Sequence, residues 1–271
     1  MTLPTWSEAF TEGNRELGRL DRRRPFGRMD REAAFGGVDG TGLTVAVIDS
    51  GVQADHPAIG GKLVQSVRVE LTGEDAHVVG DDGIDVVGHG TAAAGIIHSI
   101  APGADLVSIR VLGPDNRGKG EAFLTALEWA IGQGIAVANL SLSSKSDALF
   151  ADFHALADRA YFANVLLVSA ANNLPGPSYP SLFAAVVSVA AHDVRDPAVW
   201  YYNPEPPVEF GAYGIDVNVA WRGGRSVVTG NSFAAPHIAG VATLIRAKHP
   251  GISPFETKAI LAATANDPAA G

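Results

Sequence analysis

Leu43-Thr44-Val45-Ala46-Val47-Ile48 is an unbroken apolar run with β-branched residues, and it leads into Asp49-Ser50-Gly51. A strand with one wet face alternates polar and apolar residues, so a run without alternation predicts a strand covered on both faces. Similar runs recur at Leu106–Val111, Ile135–Leu140, Val165–Ser169 and Val186–Ala190. Between them, Glu121–Ile131, Ala148–Phe162 and Ala234–Ala247 have the spacing and length of helices. This alternation predicts an α/β fold, a doubly wound and mostly parallel sheet with helices on both faces. Such sheets bind ligands beyond the carboxyl ends of their strands, which draws attention to Asp49 and Asn173.

Residues 1–42 carry many charges and no strand periodicity, and read as an N-terminal extension that docks on the domain or moves freely. Residues 43–271 read as one domain, within the length that a single α/β core commonly occupies. The chain is 46% hydrophobic and 18% charged, with 31 glycines, as ordinary soluble α/β proteins are. Lys plus Arg at 20 against Asp plus Glu at 29 leaves a net charge of −9. That sign repels nucleic acid and anionic membrane surfaces, so neither is expected as a partner. The absence of cysteine excludes disulfides, a thiolate nucleophile and a thiolate metal site. No stretch approaches the roughly 18 to 20 apolar residues that cross a bilayer. Arg23-Arg24-Pro25-Phe26 is followed by Gly27-Arg28-Met29-Asp30-Arg31-Glu32 and not by an apolar segment, which rejects a twin-arginine export signal. With Met1 as the natural start, a cytoplasmic location is expected. The sequence says nothing of oligomeric state.

Three short segments carry chemistry together: Val47-Ile48-Asp49-Ser50-Gly51, Gly88-His89-Gly90-Thr91 and Gly230-Asn231-Ser232-Phe233-Ala234-Ala235-Pro236-His237. Acyl transfer by serine needs a base to take its proton and a buried carboxylate to orient that base. The segments supply one of each. Ser232 precedes a long helix, where unpaired backbone N–H groups favour the negative charge that develops during attack. The order Asp, His, Ser is that of subtilisin-like proteases, whereas an α/β-hydrolase runs Ser, Asp or Glu, His.

On these segments the chain, over roughly Gly37 to Thr264, resembles the subtilisin-like (subtilase) family. Gly230–His237 is similar to the family's Gly-Thr-Ser-Met-Ala-x-Pro-His. The resemblance implies a serine endopeptidase with a catalytic triad of Asp49, His89 and Ser232, acting on peptide or protein substrates. Leu167-Val168-Ser169-Ala170-Ala171-Asn172-Asn173 is similar to the family's Ala-Ala-Ala-Gly-Asn, which puts Asn173 on the oxyanion donor; Asn172 is the alternative. The same stretch brings Ala170, Ala171 and Asn172 beside the substrate. Leu140-Ser141-Leu142-Ser143 resembles the edge of the family's S1 pocket, with Ser143 on a usual glycine, so its side chain should narrow the entrance. Asn116, Arg117 and Gly118 fall on the strand that pairs with substrate backbone, a mode that takes extended peptides with little sequence demand. Asn231 stands where the family has threonine and is expected to weaken oxyanion binding.

Glu74, Asp75, Asp81, Asp82 and Asp85 form an acidic stretch that reads as a solvated loop, with a cation site or a preference for basic substrates as alternatives. Many family members wrap a calcium ion in a loop that interrupts the helix after the catalytic histidine; His89 to Asp105 has no such loop and no carboxylate between its ends. No metal and no cofactor are therefore expected. His56 and His237 read as structural, and His98, His154, His192 and His249 as surface residues. Trp200-Tyr201-Tyr202-Asn203-Pro204-Glu205-Pro206-Pro207 reads as an exposed loop. The extension resembles the short inhibitory leader of intracellular members, Leu3-Pro4 echoing its Leu-Ile-Pro. Two alternatives stand beside a general endopeptidase: a catalytically silent peptide-binding module, and a protease dedicated to maturing a peptide precursor.

Overall fold

A computed structural model describes residues 4–5, 7–11, 29–73, 75–205 and 207–267. Its centre is strand β1, Thr44–Asp49, buried from Val45 onward. Val45 and Val47 face one layer of core, Ala46 and Ile48 the other. Both faces being dry explains why the sequence shows no alternation.

The other strands are β2 (Leu63–Thr72), β3 (Asp75–Gly80), β4 (Asp105–Arg110), β5 (Val137–Leu140), β6 (Leu166–Ala170), β7 (Val187–His192), β8 (Trp200–Tyr202), β9 (Phe210–Tyr213), β10 (Val217–Trp221) and β11 (Gly224–Val228). The main sheet runs β3-β2-β4-β1-β5-β6-β7-β9-β8. All its pairings are parallel except those of the edge strands β3 and β8. The helices are α1 (Arg31–Phe35), α2 (His89–Ile100), α3 (Gly120–Gly132), α4 (Phe150–Phe162), α5 (Asn231–Lys248) and α6 (Pro254–Ala263). Helices α2 and α5 pack in one core layer, α3 and α4 in the other. This is the doubly wound α/β sheet that the apolar runs predict, each predicted strand and helix lying within a few residues of an observed one.

After β1 the chain builds β2 and β4 on one side, then crosses to build β5, β6 and β7 on the other. The reversal beside β1 leaves a crevice at the carboxyl ends of β1, β5 and β6. Asp49, Ser141 and Asn173 sit at or just beyond those ends.

Two readings need correction. Trp200 and Tyr201 are not in an exposed loop: they form β8, with Trp200 2% exposed. The Trp200 indole N–H donates to the Leu261 carbonyl, and the Arg31 guanidinium lies 3.7 Å over its ring. Distant partners bury what the neighbouring prolines make look like a loop. His192 is buried rather than superficial, because both ring nitrogens are satisfied, Nε2–H by the Val199 carbonyl and Nδ1 by the Val194 N–H.

The extension is described in two pieces, and both dock. Residues 29–42 join the end of α6, where the Met29 N–H donates to the Ala263 carbonyl and Arg31 reaches Thr264 and Asn266. Residues 4–5 and 7–11 lie against β7 and carry the fully buried Phe10. Arg23-Arg24 and Leu3 lie outside the described residues.

Candidate active site

Asp49 ends β1 with its side chain fully buried. Its Oδ1 accepts the Ser50 N–H at 2.6 Å, and its two oxygens stand 2.8 and 2.9 Å from His89 Nδ1. A carboxylate only accepts here, so Nδ1 carries the hydrogen and Nε2 of the neutral ring is the acceptor. Ser232 Oγ lies 3.0 Å from that Nε2. The three residues therefore form one unbroken hydrogen-bonded chain.

Close backbone approach makes this geometry possible. A Cβ on Gly90 would stand 2.0 Å from the Gly51 carbonyl and 3.1 Å from Asp49 Cβ, so only glycine lets α2 start against the end of β1. The cap of α2 is supplied from a distance, since Gly88 at the N-cap has no side chain. Asp85 takes that place: its carboxylate accepts from the N–H groups of Val87, Gly88 and Thr91 and from the hydroxyls of Thr91 and Ser50. An anion at the first turn also suits the helix dipole. The sequence reading placed Asp85 in a solvated loop and missed this capping role, although an aspartate three residues before a glycine N-cap signals it.

Burial alone lowers the His89 pKa, but the charge and hydrogen bond of Asp49, with a smaller contribution from Asp85, outweigh it. The net direction is upward from the ordinary histidine value. The imidazolium that forms when a serine gives up its proton is thus favoured here.

Ser232 is in the first turn of α5, where its N–H has no carbonyl of its own helix to bond. Pro236, four residues on, has no N–H and leaves the Ser232 carbonyl without its helical partner. The Ser141 hydroxyl donates to that carbonyl at 2.9 Å and accepts from Asn139 Nδ2 at 2.8 Å. The Ser232 main chain is so tied to the end of β5.

Asn173 Oδ1 accepts the Asn231 N–H at 2.9 Å, which leaves its Nδ2 hydrogens for a ligand. Asn172 is engaged elsewhere: Oδ1 accepts from the Leu174 N–H, and Nδ2 reaches Ser143 Oγ at 3.4 Å. Asn231, expected to weaken oxyanion binding, has its side chain turned away from the cleft. Its fully buried amide turns inward to backbone groups and to Ser7.

His89, Ser232 and Asn173 open on a cleft of about 570 Å³, also lined by Asn116, Arg117, Gly118, Ser141, Leu142, Ser143, Ala170, Ala171 and Asn172. Asn116, Arg117 and Gly118 are on its rim but not on a strand. They belong to a tight turn, with hydrogen bonds from the Gly113 N–H to the Arg117 carbonyl and from the Asn116 N–H to the Gly113 carbonyl. Asn116 is left-handed at φ 59°. Val111, Leu112, Lys119, Gly120, Phe123, Ser144 and Leu174 complete the lining, and the sequence reading named none of them as site residues. The described N-terminal residues contact Asn173 and Asn231 and are not part of that lining.

The acidic stretch is not a solvated loop. Asp75 is on β3, and Asp81 forms a two-bond ion pair with Arg110, both contacts 2.8 Å, its side chain 2% exposed. The Arg110 hydrogen bond holds the Asp81 carboxyl below its usual range. Asp85 is committed to α2, Asp82 remains exposed, and Glu74 lies outside the described residues. Among the described residues no three His, Cys, Asp or Glu side chains stand together as a metal site. Helix α2 passes into β4 through the short turn Ala101–Ala104. Exhaustive EDTA treatment should therefore move the melting temperature by no more than about 2 °C. A larger fall that added calcium restores would place an ion on the fold. His56 and His237 hold backbone: His56 accepts from Ala58 N–H and donates to the Gly224 carbonyl, and His237 donates to the Phe233 carbonyl.

A model of the subtilase family matches residues 40–271. The thermostable alkaline protease of Halalkalibacterium halodurans is 33% identical over 224 residues, 78% of this chain and 58% of that protein. Subtilisin BL of Lederbergia lenta is 32% identical over 239 residues, 83% of this chain and 84% of that protein. The crystal structure of a cold-adapted subtilisin-like serine proteinase superposes with a TM-score of 0.65 at 27% identity, covering 92% of this chain and 90% of that one. Among the described residues no helix is long and apolar enough to cross a membrane.

Proposed function

Because this chain belongs to the subtilase family, that of the subtilisin-like serine proteases, we propose that it is an endopeptidase with Asp49, His89 and Ser232 as its catalytic triad. The observation that carries the reading is the unbroken hydrogen-bonded chain from buried Asp49 through His89 to Ser232 Oγ. Ser232 Oγ attacks the scissile carbonyl as His89 Nε2 takes its proton, and Asp49 stabilises the imidazolium. The carbonyl oxygen becomes an oxyanion, held by the Ser232 N–H and Asn173 Nδ2. His89 then gives the proton to the departing amine, leaving an acyl-enzyme. Water, deprotonated in turn by His89, releases the second product and restores Ser232.

The cleft suits an extended peptide, with Asn116, Arg117 and Gly118 on one rim and Ser141, Leu142, Ser143, Ala170, Ala171 and Asn172 around the side chain that enters. The contact between Asn172 Nδ2 and Ser143 Oγ closes part of that entrance and favours slender residues at the cleavage site. Labelling by a fluorophosphonate tests the reading, since only an activated serine reacts. A chain that resists the label would be a silent binding module.

The pH dependence has a definite sign. His89 is a base only when neutral, and its pKa is raised above the ordinary 6.5. Activity should therefore climb with pH along an acid limb whose midpoint lies above about 6.5. Measured kcat/KM that is flat from pH 5 to 9 would remove His89 as the base.

A further inference from the structure

We propose that the N-terminal residues 4–5 and 7–11 form an activating brace that fixes the oxyanion donor Asn173 through Asn231. The inference rests on the reading of Asn173 as that donor. Its basis is a closed ring of hydrogen bonds among three residues far apart in sequence. The Thr5 N–H and hydroxyl both donate to the Asn173 carbonyl at 2.9 Å. The Thr5 carbonyl accepts Asn231 Nδ2 at 2.9 Å, and the Asn231 N–H donates to Asn173 Oδ1 at 2.9 Å. Asn173 is thereby held at its main chain by the segment and at its side chain by the residue before the nucleophile.

Asn231 is suited to this task in a way threonine would not be. Its amide offers two donor hydrogens and two acceptor lone pairs. Oδ1 accepts from the Ala191 N–H at 2.9 Å and the Ser7 hydroxyl at 3.1 Å. Nδ2 donates to the carbonyls of Thr5 and of Ala171, the latter at 3.1 Å. A fully buried amide with every position used has one orientation, and loss of the Thr5 and Ser7 partners empties one acceptor position and leaves one hydrogen only the long 3.4 Å contact to the Asn172 carbonyl.

The segment's seat is built into the domain. Phe10 is fully buried among Ala171, Ala190, Tyr201 and Val208. Gly211 is part of that seat, since a Cβ there would stand 2.3 Å from the Phe10 ring. Phe10 anchors the segment, and Thr5 and Ser7 deliver the hydrogen bonds. None of these residues touches the reacting atoms, so they are positioning residues.

The test uses full-length Phe10→Ala and Ser7→Ala, with Thr5→Pro as a variant that removes the N–H and the hydroxyl without opening a cavity. Each is assayed on a peptide substrate below its melting temperature, alone and combined with Asn173→Leu. The expected result is a fall in kcat of roughly tenfold, the size that one or two lost hydrogen bonds produce, with KM and the acid limb of the pH profile unchanged. In the Asn173→Leu background the same substitutions should cause no further loss, because the group they position is gone. Unchanged kcat in all three variants, a raised kcat, a shift confined to KM, or a full additional loss in the Asn173→Leu background would each overturn the brace. The underlying reading fails separately, if the unaltered chain neither hydrolyses peptides nor takes the fluorophosphonate.

Discussion

Ser232→Ala is expected to lose peptide hydrolysis by roughly a millionfold in kcat, the loss that removing the nucleophile causes in subtilisin, a member of the same family. The size follows from the residues acting as a unit: without Oγ, the proton acceptor His89 and its partner Asp49 have nothing to activate. The fold should survive, because among the described residues the Ser232 hydroxyl bonds His89 Nε2 alone, whereas its carbonyl, which ties α5 to Ser141, is untouched. Fluorophosphonate labelling and thermal unfolding of the same preparation check both halves. A variant that keeps near-normal turnover, or that stays labelled, would remove Ser232 as nucleophile.

Asn173→Leu should lower kcat by about 100- to 1,000-fold with a small change in KM, the range found when subtilisin loses its oxyanion asparagine. The oxyanion exists only after attack, so the donor acts on the transition state more than on bound substrate. Asn172→Leu separates the two asparagines. The Asn172 amide is spent on Leu174 and Ser143, and its loss should leave kcat within the same order of magnitude while altering which side chains fit the cleft. The reverse result, a large kcat effect at position 172 and a small one at 173, would exchange their roles.

What was legible in the sequence was what depends on neighbours along the chain. Buried strands such as Thr44–Asp49 show as unbroken apolar runs because both faces are dry, and α3, α4 and α5 show in their spacing. Helix α6 was equally legible, and missed: Ser253-Pro254-Phe255-Glu256 is a capping box with proline in the first turn. The edge hairpin β2–β3 is half wet and the pair β10–β11 short, so their patterns carry little signal. The triad segments were legible because their order and local motifs are specific. The direction of the Asn231 side chain was not, since it is decided by Thr5 and Ser7 more than 220 residues away. Trp200 fails for the same reason, its partners Leu261 and Arg31 being remote, whereas the turn at Asn116–Gly118 is local and was misread because the family resemblance placed it on a strand.

Helix α5 is buried from Asn231 to Arg246 and has no wet face from which it can fray. Segments leave a native structure piecemeal only where few buried contacts hold them, and this one is enclosed by the sheet, α2 and α6. Amide hydrogens along it would exchange with solvent only when the whole molecule opens. Ser232 therefore keeps its alignment while exposed peripheral segments open and close. A molecule built this way holds Ser232 in place until it unfolds as a whole.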